Sequence, residues 1–559
     1  MDALRINKRP KRDQDLEYGL HQGMEDALSP LCMVGIRILN YLDNCLILAQ
    51  GHGRSVCKLP PDRFNGQQEG TRVGVQYKTV SGLNPIFAAC VREVECDLAG
   101  ESLQHRNDIN LGKQDIHVAV TQLFVSRTVS TESRRCPLLT VQPCRGLVDE
   151  KFQVVIKNLL PNQEVTLDSL HQSEDKDFWE AFGHYISDEQ GTVTVAKDES
   201  LGGTYEGKEQ MGLLWSLRPV PGSRPALRLR KTNVLTPIVI NISVYNGHLS
   251  QGFNQTSSLA TTVTERWYMA PGVQRVNIRE KGVLGTLFLP PGPGPYPGVL
   301  DLWGGGGGLI EYRSALLASH GFACMALEYL APAKLKMTDV DGTYFEKAYQ
   351  ILQNHPLVQK DKMAILGLCF GSAITFSMTA YSRVIKPQCC VCISGSHVVP
   401  VDKCLFEVFE DIKKFKDKVQ VNEDNHLVHR NTILPIPSDP TLKVDVGRIK
   451  CPLLLVNGTD DQNWATVESA EDMEMMMNKA GNRHLLTVLT YPDAGHLIEP
   501  PYTPHFRATN FLLHKMKEKV VMLWGGQTKP HAYAQEDSWE KILAFFQEHL
   551  YSSNVNAKL

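Results

Sequence analysis

The stretch Met363-Ala364-Ile365-Leu366-Gly367-Leu368-Cys369-Phe370-Gly371-Ser372 is an apolar run that breaks into G-x-C-x-G and continues in small residues. It predicts a strand turning sharply into a helix, a bend that strains its central residue and lifts that side chain clear of the sheet. Gly367 and Gly371 leave room for the turn. A sulfur placed there lies beside the unpaired N–H groups and positive dipole end of the helix, which favour a thiolate. Turn and residue type together point to nucleophilic acyl transfer, with Cys369 as the nucleophile.

Such a nucleophile needs a base to take its proton and an acid to hold that base in one tautomer. Leu453-Leu454-Leu455-Val456 runs into Asn457-Gly458-Thr459-Asp460-Asp461, which puts two carboxylates at the end of a predicted strand. The strand Leu485–Leu489 runs into Tyr491-Pro492-Asp493-Ala494-Gly495-His496, which puts an imidazole at the end of the next. Asp461 is preferred and Asp460 is the runner-up, because the acid usually falls three residues beyond the glycine that ends this strand, here Gly458. Nucleophile, acid, histidine is the chain order of the α/β-hydrolase fold. The oxyanion formed on attack also needs donors. One is the backbone N–H of Phe370; others are expected from Trp303-Gly304-Gly305-Gly306-Gly307-Gly308-Leu309, Gly305 and Gly306 in particular, where no Cβ blocks the backbone. The run has no G-x-x-x-x-G-K-[ST], so it does not read as a nucleotide cradle.

Working outward, apolar strands alternate with helical patterns from about Val273 onward, the texture of a mostly parallel sheet covered on both faces. Strands are predicted at Gly298–Leu302, Ala323–Leu327, Met363–Leu366, Cys390–Ser394, Leu453–Val456 and Leu485–Leu489. Tyr344, Ala348, Ile351 and Leu352 keep helical spacing, as do Trp539, Ile542, Leu543, Phe546 and Leu550, and both stripes read as core packing. Residues from Pro137 to Tyr245 alternate with a period of two in Phe152–Ile156, Thr192–Val195 and Ile238–Val244, which predicts an all-β sandwich. The polar stretch Asn246 to Thr264 reads as a linker. The expected division is an appended segment 1–136, poorly ordered; a sandwich 137–262; an α/β-hydrolase domain 263–553; and a tail 554–559.

Composition narrows the class. A chain of 559 residues is too long for one core, and its net charge of -3 argues against nucleic acid as a partner. Hydrophobic content of 42% without an apolar run near ~20 residues predicts a soluble protein with no membrane span. The first residues lack a signal-peptide core, so the fourteen cysteines read as reduced thiols and the N-x-[ST] sites at Asn241, Asn254 and Asn457 as inert. Cys389 and Cys392 have the C-x-x-C spacing but no second ligand pair, so no metal is expected.

Four separated motifs carry a family resemblance: Gly367–Ser372; Trp303–Arg313; Gly495-His496-Leu497-Ile498-Glu499-Pro500-Pro501-Tyr502; and Trp524-Gly525-Gly526 followed by His531-Ala532-Tyr533-Ala534-Gln535. From about residue 137 to 552 the chain resembles the acyl-CoA thioesterase and bile acid-CoA:amino acid N-acyltransferase family. The resemblance implies acyl-CoA substrates, a triad of Cys369, Asp461 and His496, and no cofactor, coenzyme A being part of the substrate. Thioesterases of that family mostly carry serine as nucleophile and the N-acyltransferase carries cysteine, so Cys369 sides with the latter, while Gly367 and Phe370 resemble the former at least as much. The resemblance leaves the acceptor open between water, which gives free acid and coenzyme A, and an amino acid such as glycine or taurine. Ala557-Lys558-Leu559 is a variant of the S-K-L address, which predicts binding to the peroxisomal import receptor and residence in the peroxisome, with the cytosol as alternative.

Residues 1 to about 130 have no counterpart in that family. Within them Gly35 to Gln50 looks like the palm hairpin of a retroelement reverse transcriptase, but Asn44 stands where its second metal-binding carboxylate belongs, so polymerase activity is not expected. Lys8-Arg9-Pro10-Lys11-Arg12 reads as a solvated basic tail. Two other readings remain open at this level: a dienelactone-type cysteine hydrolase and a retroelement-derived nucleic-acid-binding protein.

Overall fold

The computed structural model describes residues 136–551 apart from Pro332 and residues 514–517. The appended segment, its hairpin, the basic tail and Ala557-Lys558-Leu559 lie outside the described residues.

The first part of the described chain contains β1 (Leu138–Gln142), β2 (Arg145–Leu147), β3 (Gln153–Lys157), β4 (Glu164–Gln172), β5 (Phe178–Ile186), β6 (Val193–Thr194), the short helix α1 (Gly212–Trp215), β7 (Arg218–Pro219), β8 (Ile238–Asn246) and β9 (Ala260–Trp267). They form a three-stranded sheet, β1-β3-β6, and a six-stranded sheet, β2-β9-β8-β4-β5-β7. Alternation decides what faces inward: in β3, Val154 and Ile156 are buried while Gln153 and Lys157 are exposed. The buried residues meet Leu167 of β4 and Ile240, Ile242 and Val244 of β8 in one core between the sheets.

The expected linker from Asn246 to Thr264 is corrected here. Its second half enters β9, which pairs antiparallel with β8 and parallel with β2, so the larger sheet continues past residue 262. The run reads as polar because this strand is only half-covered: Thr261 and Val263 face out, and the Thr261 hydroxyl bonds across to Ser243 at 3.0 Å. Threonine suits such a pleated, half-buried surface.

The second part contains β10 (Gln274–Glu280), β11 (Val283–Leu289), β12 (Tyr296–Leu302), α2 (Tyr312–Ser319), β13 (Ala323–Glu328), α3 (Gly342–Gln353), β14 (Val358–Leu368), α4 (Phe370–Tyr381), β15 (Cys389–Ile393), α5 (Leu405–Lys413), β16 (Gln420–Val421), β17 (Leu427–Val428), β18 (Leu453–Gly458), α6 (Thr466–Lys479), β19 (Leu486–Tyr491), β20 (Ala508–Leu513), β21 (Glu518–Leu523) and α7 (Thr528–Phe546). Eight of these strands form one sheet in the order β10-β11-β13-β12-β14-β15-β18-β19. It is parallel from β13 to β19 and antiparallel at the β10–β11 edge.

All six predicted strands lie in this sheet, with ends moved by a residue or more: β15 stops at Ile393, and Leu485 sits in a turn before β19. The central strands are buried on both faces, which is why β15 and β18 read as unbroken apolar runs. The edge strand β10 is missing from the sequence reading because only Ile278 of its seven residues is buried. On α3, Tyr344, Ala348 and Leu352 face the sheet, and on α7, Trp539, Ile542 and Phe546 do. A small sheet, β16-β17-β21-β20, joins the two-residue strands β16 and β17 to the antiparallel pair β20–β21 and was not anticipated from the sequence. Tyr502 and Ala532 of this part pack into the sandwich core, and Trp179 of β5 meets Phe506 edge-on at 5.7 Å. No helix among the described residues is long and apolar enough to cross a membrane.

Candidate active site

Parallel strands expose their carboxyl ends on one edge of the sheet, and β14, β18 and β19 lead from that edge into Cys369, Asp461 and His496. Cys369 stands between β14 and α4 with φ 56° and ψ -120°, a conformation that is strained for a residue with a Cβ. Its N–H donates to the Ile393 carbonyl at 2.8 Å, which ties the turn to the end of β15. The flanking glycines are steric necessities. A Cβ on Gly367 would sit 2.6 Å from the Ser372 nitrogen, and one on Gly371 would run into the Leu302 carbonyl. Cys369 is 9% exposed, so its side chain is nearly enclosed.

Asp461 and His496 are both fully buried, and Nδ1 of His496 lies 2.7 Å from Oδ2 of Asp461. The other oxygen, Oδ1, accepts from the backbone N–H groups of Asn463 at 2.9 Å and Trp464 at 2.8 Å, which fixes the carboxylate in place. Asp460 is turned elsewhere. Its carboxylate accepts from Arg507 at 2.7 Å, the Gly526 N–H at 2.8 Å and Gln462 at 2.6 Å, and those bonds hold it below the usual carboxylate range against the cost of burial. The structure therefore brings His496 together with Asp461 and not with Asp460.

Burial disfavours the His496 cation, but the charges of Asp461 and of the Cys369 sulfur outweigh it and push the imidazole up to about 10. Its Nε2 is buried and without a hydrogen bond among the described residues. The ring stacks on Trp524 with centroids 5.6 Å apart and planes 15° off parallel, and its backbone N–H donates to the Trp524 carbonyl at 2.9 Å.

The glycine run closes the other side. A Cβ on Gly304 would lie 3.0 Å from Cβ and 3.5 Å from Sγ of Cys369, whereas one on Gly305 would lie 3.9 Å from Phe370 and one on Gly306 3.5 Å from Phe511. Gly304, which the sequence reading passed over, is thus the glycine that abuts the sulfur. The N–H groups of Phe370, Gly305 and Gly306 have no hydrogen-bond acceptor among the described residues. The loop is held from outside: the Trp303 carbonyl accepts from the Tyr329 hydroxyl, and Arg313 lies over the Trp303 ring at 5.2 Å while bonded to Asp301.

Trp524-Gly525-Gly526 and His531 entered the sequence reading only as family markers, and the structure shows what they touch. Gly525 and Gly526 have φ 78° and 88°, and a Cβ on Gly526 would lie 2.6 Å from the Gly495 nitrogen. His531 accepts from the Gly495 N–H at Nδ1, 3.0 Å, and donates from Nε2 to the Leu497 carbonyl, 2.8 Å. Burial, with neighbouring His505, pushes it down to about 3, so it is a neutral brace on both sides of His496. Among the described residues no cluster of three or more metal-ligating side chains occurs.

A strained cysteine after β14, with an acid and a histidine returning on β18 and β19 of the same parallel sheet, is the arrangement of the α/β hydrolases. The sequence profile described as BAAT / Acyl-CoA thioester hydrolase C terminal matches residues 340–552, and that described as Acyl-CoA thioester hydrolase/BAAT N-terminal region matches residues 149–280. The chain belongs to this acyl-CoA thioester hydrolase/BAAT family. It is 37% identical over 431 residues to the peroxisomal succinyl-coenzyme A thioesterase of Mus musculus, covering 75% of this chain and 98% of that one. It is 34% identical over 434 residues to the mitochondrial acyl-coenzyme A thioesterase 2 of Homo sapiens, covering 76% of this chain and 87% of that one. Among solved structures, a putative dienelactone hydrolase from Klebsiella pneumoniae is 16% identical, with a TM-score of 0.31 over 49% of this chain and 98% of that one.

Proposed function

We propose that this protein cleaves acyl-CoA thioesters through an acyl group carried on Cys369, with His496 as acid and base and Asp461 as its orienting partner. One observation carries the reading: the cysteine at the strained turn and the buried Asp461–His496 pair at 2.7 Å share one edge of the sheet in a chain of this family. The thiolate is the attacking form of cysteine, and an imidazole held protonated up to about 10 is a suitable partner for it. The sulfur of Cys369 adds to the thioester carbonyl, and the oxyanion is received by the N–H of Phe370 and those of the glycine run, Gly305 and Gly306 being the expected donors. The carbon–sulfur bond to coenzyme A then breaks, and His496 gives its proton to the departing thiolate. An acceptor attacks the acyl-cysteine, His496 takes the acceptor's proton, and the cysteine is released. No metal or separate cofactor enters these steps.

With water as acceptor the product is the free acid, which matches the activity in the relatives' names. With the amino group of glycine or taurine it is an amide, and the sulfur favours this second reading, because a thioester reacts with amines more readily than with water. Residence in the peroxisome is the expectation from Ala557-Lys558-Leu559, and the succinyl-coenzyme A thioesterase named above is peroxisomal. The test is incubation of the protein with long-chain, dicarboxylic and bile acyl-CoAs, with and without glycine or taurine, measuring free acid against amide. Free acid alone at saturating amine rules out transfer; wild-type turnover by Cys369→Ala rules out the mechanism.

A further inference from the structure

The segment between β7 and β8 carries two arginines toward the catalytic loops. Arg228 forms an ion pair with Glu499, which follows His496 by three residues and also accepts from the Tyr312 hydroxyl at 2.7 Å. The Arg228 guanidinium lies 5.9 Å from the centre of the Trp303 ring, at the start of the glycine run. Arg230 comes two residues later and has no such partner: it makes no hydrogen bond or ion pair with any described residue, and its Nε is buried. Arg228 repels it, burial disfavours its charge, and the attraction of Tyr312 and Glu499 does not compensate. Two guanidiniums therefore share one carboxylate.

Arg230 lines a cavity of about 230 Å3, walled also by His171, Glu174, Leu229 and Lys231 with Lys176 at its rim. That is far above the ~15 Å3 that a single water needs. Glu174, the carboxylate on that wall, is already saturated. It accepts from Lys231 at 2.6 Å and from the Thr232 N–H at 2.9 Å, and its oxygens also meet the Thr232 hydroxyl and the Asn233 N–H. His171 donates from Nδ1 to the Val239 carbonyl at 2.8 Å, and burial lowers its affinity for a proton. Arg230 thus lines this cavity without an ion-pair partner among the described residues, and the one acid on the wall, Glu174, is already paired. A half-buried positive charge without a partner is costly, and planar guanidinium is suited to binding carboxylate or phosphate oxygens in pairs.

We infer that Arg230 and its cavity form an oxyanion-binding subsite for the substrate, receiving a carboxylate at the far end of the acyl chain or a phosphate of coenzyme A. The inference rests on the acyl-CoA reading above and adds a substrate contact to it.

The test compares wild type with Arg230→Met and Arg230→Lys on three probes: a long-chain monocarboxylic acyl-CoA, a dicarboxylic acyl-CoA, and the acyl-pantetheine counterpart that lacks every phosphate. Removing a charge-assisted contact lowers kcat/KM roughly ten- to hundredfold. Loss confined to the dicarboxylic substrate identifies the chain-end carboxylate. Equal loss on both CoA esters, with none on acyl-pantetheine, identifies a phosphate. In either case Arg230→Lys recovers part of the loss. Unchanged kcat/KM on all three probes overturns the subsite. Calorimetric titration of free coenzyme A and of a non-hydrolysable dicarboxylic acyl-CoA thioether separates the two readings: weaker binding by Arg230→Met supports the subsite even if no turnover is found, and unaltered binding of both overturns it. Arg230→Met removes an unpaired charge, so its melting temperature should not fall.

Discussion

Asp461→Asn isolates the charge that organises the site. The rise of His496 from 6.5 to about 10 corresponds to ~5 kcal/mol of preference for the imidazolium, to which Asp461 is the leading favourable contributor and Cys369 the next. Asparagine keeps an oxygen for the N–H groups of Asn463 and Trp464, so the loop should stay in place. Its amide nitrogen would then face Nδ1 of His496, forcing that atom to accept and moving the ring proton to Nε2, where it blocks uptake of a proton from Cys369 or the acceptor. An orienting carboxylate of this kind is worth up to about 10⁴-fold in turnover. We expect kcat to fall by roughly 10³- to 10⁴-fold. Because the folded-state value of His496 is raised, its stabilising contribution is complete below 6.5 and fades as the pH climbs toward 10. The alkaline limb of activity should lie at lower pH in the variant than in the wild type, and the decline in melting temperature between 6.5 and about 10 should shrink. Release of coenzyme A thiol, followed spectrophotometrically from pH 5 to 10.5, reads the kinetic effects. Asp460→Asn is the control: its carboxylate serves Arg507 and Gly526, so turnover should stay within a fewfold of wild type. A tenfold or smaller loss in Asp461→Asn with an unmoved alkaline limb would refute the reasoning, as would a larger loss in Asp460→Asn.

Gly371→Ala would drive a Cβ into the Leu302 carbonyl, and overpacking of this kind costs about 1–3 kcal/mol. Thermal denaturation should show that loss together with impaired turnover, and an unchanged melting curve would mean that the turn has slack. His531→Ala leaves the Gly495 N–H and the Leu497 carbonyl unpaired beside the histidine loop, a cost of about 2–5 kcal/mol from two buried groups. Its kcat should fall while the pH profile keeps its shape from pH 5 to 8, since His531 is neutral throughout that range. Asp168, buried in β4 with Glu180 nearby, is pushed up to about 7 from 3.8, so the folded chain holds its proton more tightly than the unfolded one and loses stability as pH rises between those values. Asp168→Asn should therefore raise the melting temperature at pH 8, by an amount equivalent to at most about 4 kcal/mol, and change little at pH 4. Equal effects at both pH values would contradict the assignment.

The parts of this fold that were legible in the sequence are those where one local requirement overrides context. Central parallel strands are buried on both faces and read as apolar runs, so β12, β13, β14, β15 and β18 could be found, while the edge strand β19 showed through its β-branched and leucine residues although only Leu486 of it is buried. Strand β10 was hidden because its residues are mostly exposed, the small sheet because its strands are very short or only partly buried, and β9 was mistaken for a linker because polar Thr261 and Glu265 lie on one face and Thr264 and Arg266 on the other. Strand membership there is decided by a neighbour offering hydrogen bonds, which no local pattern records.

The active site divides along the same line. A glycine on each side of Cys369, two aspartates at one predicted strand end and a histidine at the next are written in the sequence, because steric limits on a tight turn and the order of strands do not depend on the rest of the molecule. Which of two adjacent carboxylates faces His496, that Gly304 and not its successors abuts the sulfur, that Trp524 and His531 clasp the histidine loop, and that Arg230 makes no ion pair among the described residues are facts of distance between segments remote in the chain. They depend on how strands and loops far apart in the chain pack together, and only the tertiary structure decides them.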